Sequence, residues 1–150
     1  MIVNLDSYIS YMDCTEHFLP FLKGNGADNL IEASGGTEAD APMDERIGSV
    51  VRSIRELHLP RYSKSEHHQI SVKFVEDGDI GEIPESASWI GIFYFGELGE
   101  TCEGDKDLFD GDEYSPTWGS VMFFTADHSY SAGKLSSGTL PKLVAFWGTD

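Results

Sequence analysis

Two short apolar runs in the C-terminal third of the chain limit its fold more than any other feature. They occupy residues 121–124 (VMFF) and 143–147 (LVAFW), and turn-forming residues bound both. Each run is rich in aromatic or β-branched side chains and is shorter than the ten or more patterned residues that a helix needs. The runs therefore predict two buried strands, with His128 and a turn rich in glycine and serine between them.

Two further strands are predicted before them. Residues 89–95 (WIGIFYF) form another buried run, whereas residues 67–75 alternate between two faces. On the apolar face His68 precedes Ile70, Val72 and Phe74, at the period of two that defines a strand. We expect this face to be the inner one, with His68 pointing into a barrel. Residues 96–112 read as a long, solvated acidic loop.

Helices are predicted in the first part of the chain. Apolar residues recur at helical spacing from Ile47 to Leu57, with acids in the first turn and basic residues toward the end. Pro60 should end this helix. A second, less regular pattern predicts helical turns between residues 8 and 22, which the segment 23–26 stops. We expect both to pack on a sheet.

The C-terminal pattern resembles a known enzyme family. Tyr114-x-Pro116-x-x-Gly119-x-Val121-x-Phe123-Phe124, followed by His128 and by Lys142 at the start of the last apolar run, is similar to the C-terminal half of the 2-oxoglutarate/Fe(II) oxygenases. The resemblance covers roughly residues 62–148. It implies an α+β protein with a double-stranded β-helix core, a jelly roll, buttressed by N-terminal helices.

The same resemblance implies a metal site and a co-substrate site. Fe(II) would be held by His68, His128 and one acid, Asp79, with His67 and Asp77 as alternative ligands. The family's usual His-x-Asp pair is missing, because Ile70 stands two residues after His68 and Gln69 two residues after His67.

The co-substrate, 2-oxoglutarate, would place its carboxylate on Lys142. Tyr114 and Tyr130 lie in loops that flank strand ends, and we expect them to line the pocket.

Size and charge limit the function further. With 150 residues the chain is expected to be one domain, with residues 1–61 a mainly helical support and residues 62–150 the β-helix core. The formal net charge of −16 disfavours direct binding to nucleic acids and anionic membranes. Two cysteines without metal or redox spacing, and the lack of a signal peptide pattern, favour a cytoplasmic protein or a component of a virion assembled inside a cell.

Two function classes remain open from the sequence. The first is a 2-oxoglutarate/Fe(II) oxygenase, intact or catalytically degenerate, acting on a small molecule or a protein. The second is a non-catalytic acidic protein on the same barrel, either a structural virion component or an inhibitor that mimics nucleic acid. An exposed sheet edge would also allow homo-oligomers.

Overall fold

A computed structural model describes residues 1–24, 30–32, 45–76 and 79–149, and only the backbone of residues 30–32. Helices form in two segments, as the sequence predicts. The first contains α1 (Tyr11–Asp13), a π-helical turn (Cys14–Phe18) and α2 (Leu19–Gly24). The second contains α3 (Glu45–Ser53), a π-helical turn (Ile54–His58) and a 3₁₀ turn (Leu59–Arg61) that includes Pro60.

Strands make up most of the remaining described chain. They are β1 (Ile2–Leu5), β2 (Leu30–Glu32), β3 (His67–Val75), β4 (Ala87–Tyr94), β5 (Cys102–Gly104), β6 (Asp107–Phe109), β7 (Asp112–Tyr114), β8 (Val121–Thr125), β9 (Tyr130–Ser131), β10 (Leu135–Gly138) and β11 (Lys142–Thr149). The largest sheet has six strands in the order β1-β8-β4-β11-β3-β2. Of the two smaller sheets, one pairs β10 with β5 and the other has the order β7-β6-β9.

Two apolar clusters lie on opposite faces of the large sheet. On one face the helices pack against alternate residues of the central strands, among them Phe93, Phe123 and Trp147. On the other face the intervening residues, such as Ile92, Phe124 and Phe146, pack against the smaller sheets. This second cluster is the interior of the barrel. The strands β4, β8 and β11 are buried on both faces, which is why the sequence shows them as continuous apolar runs.

The prediction of which side chains of β3 point into the barrel is wrong for its second half, because β3 contains a β-bulge. The register of β3 against β11 shifts at Ile70, because Trp147 pairs with Gln69 whereas Phe146 pairs with Ser71. One extra residue exchanges the two faces of a strand. Val72 and Phe74 therefore pack against the helices, and not in the barrel as their alternation with His68 suggested.

The prediction of a long loop at residues 96–112 is also wrong in part. This acidic segment contains β5, β6 and the first residue of β7. These strands form much of the smaller side of the barrel, and Asp107 and Phe109 point inward and are buried. The prediction of helices packed on a jelly-roll core is confirmed by this architecture.

Candidate functional site

The barrel interior contains a polar cluster at the end where β11 begins. Lys142, the first residue of β11, pairs with Tyr94 at the end of β4 and with Val75 at the end of β3. Across the barrel, β6 contributes Asp107, and β9 contributes Tyr130. The cluster therefore joins the large sheet to the smaller one through polar side chains.

The Asp107 carboxylate is the centre of this cluster. Its Oδ2 accepts hydrogen bonds from the hydroxyl of Tyr94 at 2.7 Å and from the hydroxyl of Tyr130 at 2.8 Å. Its Oδ1 accepts the backbone N–H of Gly133 at 2.8 Å. Asp107 is only 1% exposed, so these donors replace water around a buried charge.

Lys142 supplies the opposite charge. Its Nζ lies 3.6 Å from Asp107 Oδ2 and donates a hydrogen bond to the Tyr130 hydroxyl at 3.0 Å. The same ammonium group is 5.7 Å from the centre of the Tyr130 ring, a cation–π distance. Lys142 is 2% exposed. The cation and the carboxylate thus neutralise each other inside the protein.

The tyrosines of the cluster are held in their protonated form. Burial raises the pKa of Tyr94 well above its usual value, and the neighbouring charge of Asp107 raises it further. Burial and Asp107 raise the pKa of Tyr130 in the same way. Each phenol therefore keeps the proton that it donates to the carboxylate.

Tyr114 completes the lining of the cluster. Its hydroxyl donates to Ser120 Oγ at 2.7 Å, and its ring centre lies 5.7 Å from that of Tyr94. The structure thus brings together the three residues that the sequence assigns to the co-substrate, since Lys142 contacts Tyr130 and Tyr114 lies one ring away. The sequence analysis missed Asp107 and Tyr94. Asp107 stands two residues before Phe109, and this alternation was the available signal for an inward-facing carboxylate.

A second lysine reaches into the barrel beside this cluster. Lys73 Nζ lies 5.5 Å from the centre of the Phe146 ring, and burial lowers the pKa of Lys73 while the charge of Asp79 opposes that change. Asp79 itself is exposed. The interaction with Lys73 places Asp79, the predicted acidic metal ligand, near the end of β3 that lies next to Lys142.

The predicted histidine ligands lie elsewhere. His68 pairs with Gly148 near the start of β3, roughly 20 Å along the strand from its far end, where Asp79 follows. His128 follows β8, and β4 and β11 separate β8 from β3, a distance of ~14 Å across the sheet. The structure therefore does not bring His68, His128 and Asp79 together.

The two alternative ligands do not change this arrangement. His67 lies on the helix side of the sheet, where its ring centre is 6.4 Å from that of Trp89. Asp77 lies outside the described residues.

Both ring nitrogens of His128 already have partners. Nδ1 bonds the Asp110 carboxylate and Nε2 bonds the amino group of Met1. The hydrogen bond from His128 is the main reason that the pKa of Asp110 is lowered, and the Ser129 backbone N–H adds to it. Within residues 1–24, 45–76 and 79–149, no three His, Cys, Asp or Glu side chains are placed to hold one metal ion. The described donors do not fit an Fe(II) centre.

Comparison with solved structures gives the fold family of this barrel. A viral collagen prolyl hydroxylase of Paramecium Bursaria Chlorella virus-1, solved in complex with 2OG, matches with a TM-score of 0.65 and 12% identity, over 99% of this chain and 96% of that one. An oxidoreductase of the 2OG-Fe(II) oxygenase family from Burkholderia pseudomallei matches with a TM-score of 0.60 and 10% identity, over 98% and 84% of the two chains. The chain has the fold of these oxygenases.

The other comparisons add no closer relationship. No protein-family model matches the sequence, and no curated protein matches it either. Among the described helices, none is long and apolar enough to span a membrane.

Proposed function

We propose that this chain is a non-catalytic relative of the 2-oxoglutarate/Fe(II) oxygenases that acts as an acidic binding module. One observation carries this proposal: Lys142, the residue that the resemblance assigns to the co-substrate carboxylate, already faces the buried carboxylate of Asp107 at 3.6 Å. A second carboxylate at Lys142 would have to enter beside the first, and two like charges at one buried site repel each other.

The distribution of the predicted metal ligands supports the same proposal. His128 is engaged by Asp110, and Asp79 and His68 lie at opposite ends of β3. The barrel interior near Lys142 is packed with aromatic rings, among them Phe109, which lies 5.0 Å from Tyr130 between ring centres. Such an interior stabilises a fold and leaves little room for an organic acid.

The acidic surface supports a protein partner with a basic face. The segment 97–113 carries six exposed carboxylates, at Glu100, Glu103, Asp105, Asp110, Asp112 and Glu113. Its one base, Lys106, lies 3.6 Å from Glu113 and is thereby offset. Together with the net charge of −16, these carboxylates would attract a cationic surface and repel nucleic acid. A nucleic-acid-binding protein, blocked by these carboxylates, is the partner class that we propose.

Calorimetry tests the proposal directly. Fe(II) or Mn(II) is titrated anaerobically into chelator-treated protein, with and without 2-oxoglutarate, and His128→Ala serves as the control variant. We expect no stoichiometric metal binding and no effect of 2-oxoglutarate. Metal binding at a one-to-one ratio that strengthens with 2-oxoglutarate and disappears in His128→Ala would establish the oxygenase function instead.

A further variant tests whether a 2-oxoglutarate site exists at Lys142 and is only blocked by Asp107. Asp107→Asn removes the negative charge that pairs with Lys142 while keeping the size of the side chain. If 2-oxoglutarate binds this variant without metal, Asp107 is the group that excludes the co-substrate from the wild-type protein. Binding of 2-oxoglutarate to the wild type with similar affinity would contradict the proposal that Asp107 blocks the site.

A further inference from the structure

The end of the second helical segment is an exposed basic surface on the helix side of the large sheet. We call residues 57–64 the basic turn, because they contain Arg61 and Lys64 and no acidic side chain. Both cations are exposed, and neither forms an ion pair with a described residue. The chain has 26 acidic side chains, so this surface differs in charge from most of the protein. It can receive an acidic partner.

The basic turn also exposes two large apolar side chains. Leu57 is 62% exposed and Tyr62 is 40% exposed, and Leu57 stands four residues before Arg61, about one helical turn away. The Tyr62 ring contacts Trp89 and Phe123, at 6.3 and 5.9 Å between ring centres, and these contacts hold it at the surface. Tyrosine and arginine are enriched among the residues that carry most of the binding energy at protein interfaces. The composition of the basic turn is therefore that of a docking surface.

A complementary surface lies on the smaller sheets. A cleft of about 430 Å³, which we call the acidic cleft, is lined by Gly104, Asp105, Lys106, Leu108 and Glu113. Leu108 is half-buried and faces outward, because the residues on either side of it point into the barrel. Lys106 lies 3.6 Å from Glu113, whereas Asp105 is exposed and has no ion pair with a described residue. The cleft thus offers an apolar side chain beside a carboxylate.

The two surfaces of one molecule cannot meet. Tyr62 packs on the helix side of the large sheet, whereas the acidic cleft belongs to the smaller sheets on its barrel side. The six-stranded sheet lies between them. A contact between the two surfaces therefore needs two molecules, and each molecule then keeps one surface unused. Further copies can add to such a head-to-tail contact, which gives a ring or a filament.

We propose that this chain self-associates head to tail, with the basic turn of one copy docked in the acidic cleft of a second copy. Arg61 and Lys64 then face Asp105, and Tyr62 faces Leu108. The net charge of −16 makes the copies repel each other, but at physiological ionic strength charges are screened beyond about 8 Å, so the local pairs decide. The inference does not rest on the proposed function, in which the exposed carboxylates bind a different protein.

Sedimentation velocity tests the self-association. Wild-type protein is measured over a range of concentrations in about 0.1 M and about 1 M salt, between which the Debye length falls from ~10 Å to ~3 Å. We expect the mean mass to rise with concentration at the lower salt, and to stay closer to that of the monomer at the higher salt. Protein that remains monomeric at the lower salt would overturn the proposal. Stronger association at the higher salt would overturn it too, because screening strengthens a contact only when like charges oppose it.

Two double variants of equal chemistry test the basic turn. Leu57→Gln with Arg61→Gln changes the basic turn, whereas Met12→Gln with Lys23→Gln changes the first helical segment, which packs at the far end of β4. Leu57 and Met12 are both 62% exposed, so each variant removes one exposed apolar side chain and one cation. We expect the basic-turn variant to raise the dissociation constant about tenfold, the loss of a charge-assisted contact, and the control variant to match the wild type. Equal weakening by both variants would overturn the proposal.

Mixing two variants tests the head-to-tail geometry. Asp105→Asn with Glu113→Gln changes the acidic cleft and keeps the basic turn, whereas the basic-turn variant keeps the cleft. At a concentration at which the wild type associates, we expect each variant alone to be largely monomeric. Their equimolar mixture should form one-to-one pairs that do not grow further. A mixture that stays monomeric, or that assembles as far as the wild type does, would show that another contact joins the copies and would overturn the proposal.

Discussion

Lys142 Nζ and Asp107 Oδ2 lie 3.6 Å apart, with side chains that are 3% and 2% exposed. Removing one member of such a pair leaves the other charge buried without compensation, whereas removing both leaves no uncompensated charge. The pair is therefore a source of strong coupling between β11 and β6, and of specificity in how the barrel closes.

A double-mutant cycle measures this coupling. We expect Asp107→Asn to lower the free energy of unfolding by about 3–5 kcal/mol, because Lys142 loses its counter-charge. The double variant Asp107→Asn with Lys142→Met should recover most of that loss, and urea unfolding gives all four values. Additive losses in the double variant would show that the two charges do not interact.

The tyrosines around Asp107 are expected to lose their protons at a higher pH than ordinary tyrosines do. Burial raises the pKa of Tyr94, Tyr114 and Tyr130, and the charge of Asp107 raises each of them further. These are three of the six tyrosines in the chain. In an ultraviolet titration we expect about half of the tyrosinate absorbance to appear only when the protein unfolds.

The same shifts set the pH dependence of stability. A phenol whose folded pKa is raised contributes stability that is complete below the unfolded pKa, near 10, and is lost as the pH rises toward the folded pKa. The free energy of unfolding should therefore fall above about pH 10, and Tyr94→Phe should make that fall less steep. A slope that Tyr94→Phe does not change would show that Tyr94 titrates normally.

How much of this could be predicted from the sequence depends on whether a pattern was local. The buried strands around Phe93, Phe123 and Phe146 were predictable, since their apolar runs report burial on both faces. The helix that begins at Glu45 was predictable from its spacing. Lys142 was assigned to the co-substrate pocket from the family resemblance and Tyr130 from its position beside a strand end, and in the structure Lys142 donates a hydrogen bond to the Tyr130 hydroxyl. Their role in binding a co-substrate stays a prediction.

Two features of the structure could not be predicted, because they depend on contacts between residues far apart in the sequence. The facing of β3 could not be predicted, because a bulge at Ile70 is fixed by pairing with β11 and leaves no trace in the alternation itself. The burial of Asp107 could not be predicted either, since the donors that make it tolerable come from distant strands and from Gly133. In sequence, a carboxylate in an acidic stretch is typical of a solvated loop.

The backbone around Gly133, which donates to Asp107, leaves no room for a side chain at this position. A Cβ at this position would lie 2.0 Å from the backbone oxygen of Asp105, too close for any side chain without movement of the backbone. We expect Gly133→Ala to lower the free energy of unfolding by about 1–3 kcal/mol, since overpacking forces such shifts. Because the buried tyrosines are expected to titrate when the protein unfolds, the tyrosine titration of this less stable variant should begin at a lower pH.

Gly24→Ala is the matched control for that variant. Gly24 ends α2, and a Cβ there meets no atom of the described residues within 4 Å. We expect its unfolding free energy to match or slightly exceed that of the wild type, because alanine favours a helix more than glycine does. If both alanine variants behave alike under urea, the close approach of Gly133 to Asp105 is not a constraint.

The contact between His128 and Asp110 predicts a specific change at acid pH. The hydrogen bond from His128 is the largest cause of the lowered pKa of Asp110, whereas the pKa of Asp127 is lowered chiefly by Thr125. In His128→Ala we expect carbon-detected magnetic resonance to show Asp110 titrating closer to 3.8, its ordinary value, with Asp127 still below it.

A carboxyl with a lowered folded pKa stabilises the protein above its unfolded pKa, and that stability is lost as the pH falls through the folded pKa. The wild type should therefore lose more stability than His128→Ala between about pH 4 and pH 2. An unchanged titration of Asp110 in the variant would mean that His128 is not its partner in solution, and would leave the ring of His128 available to a metal ion.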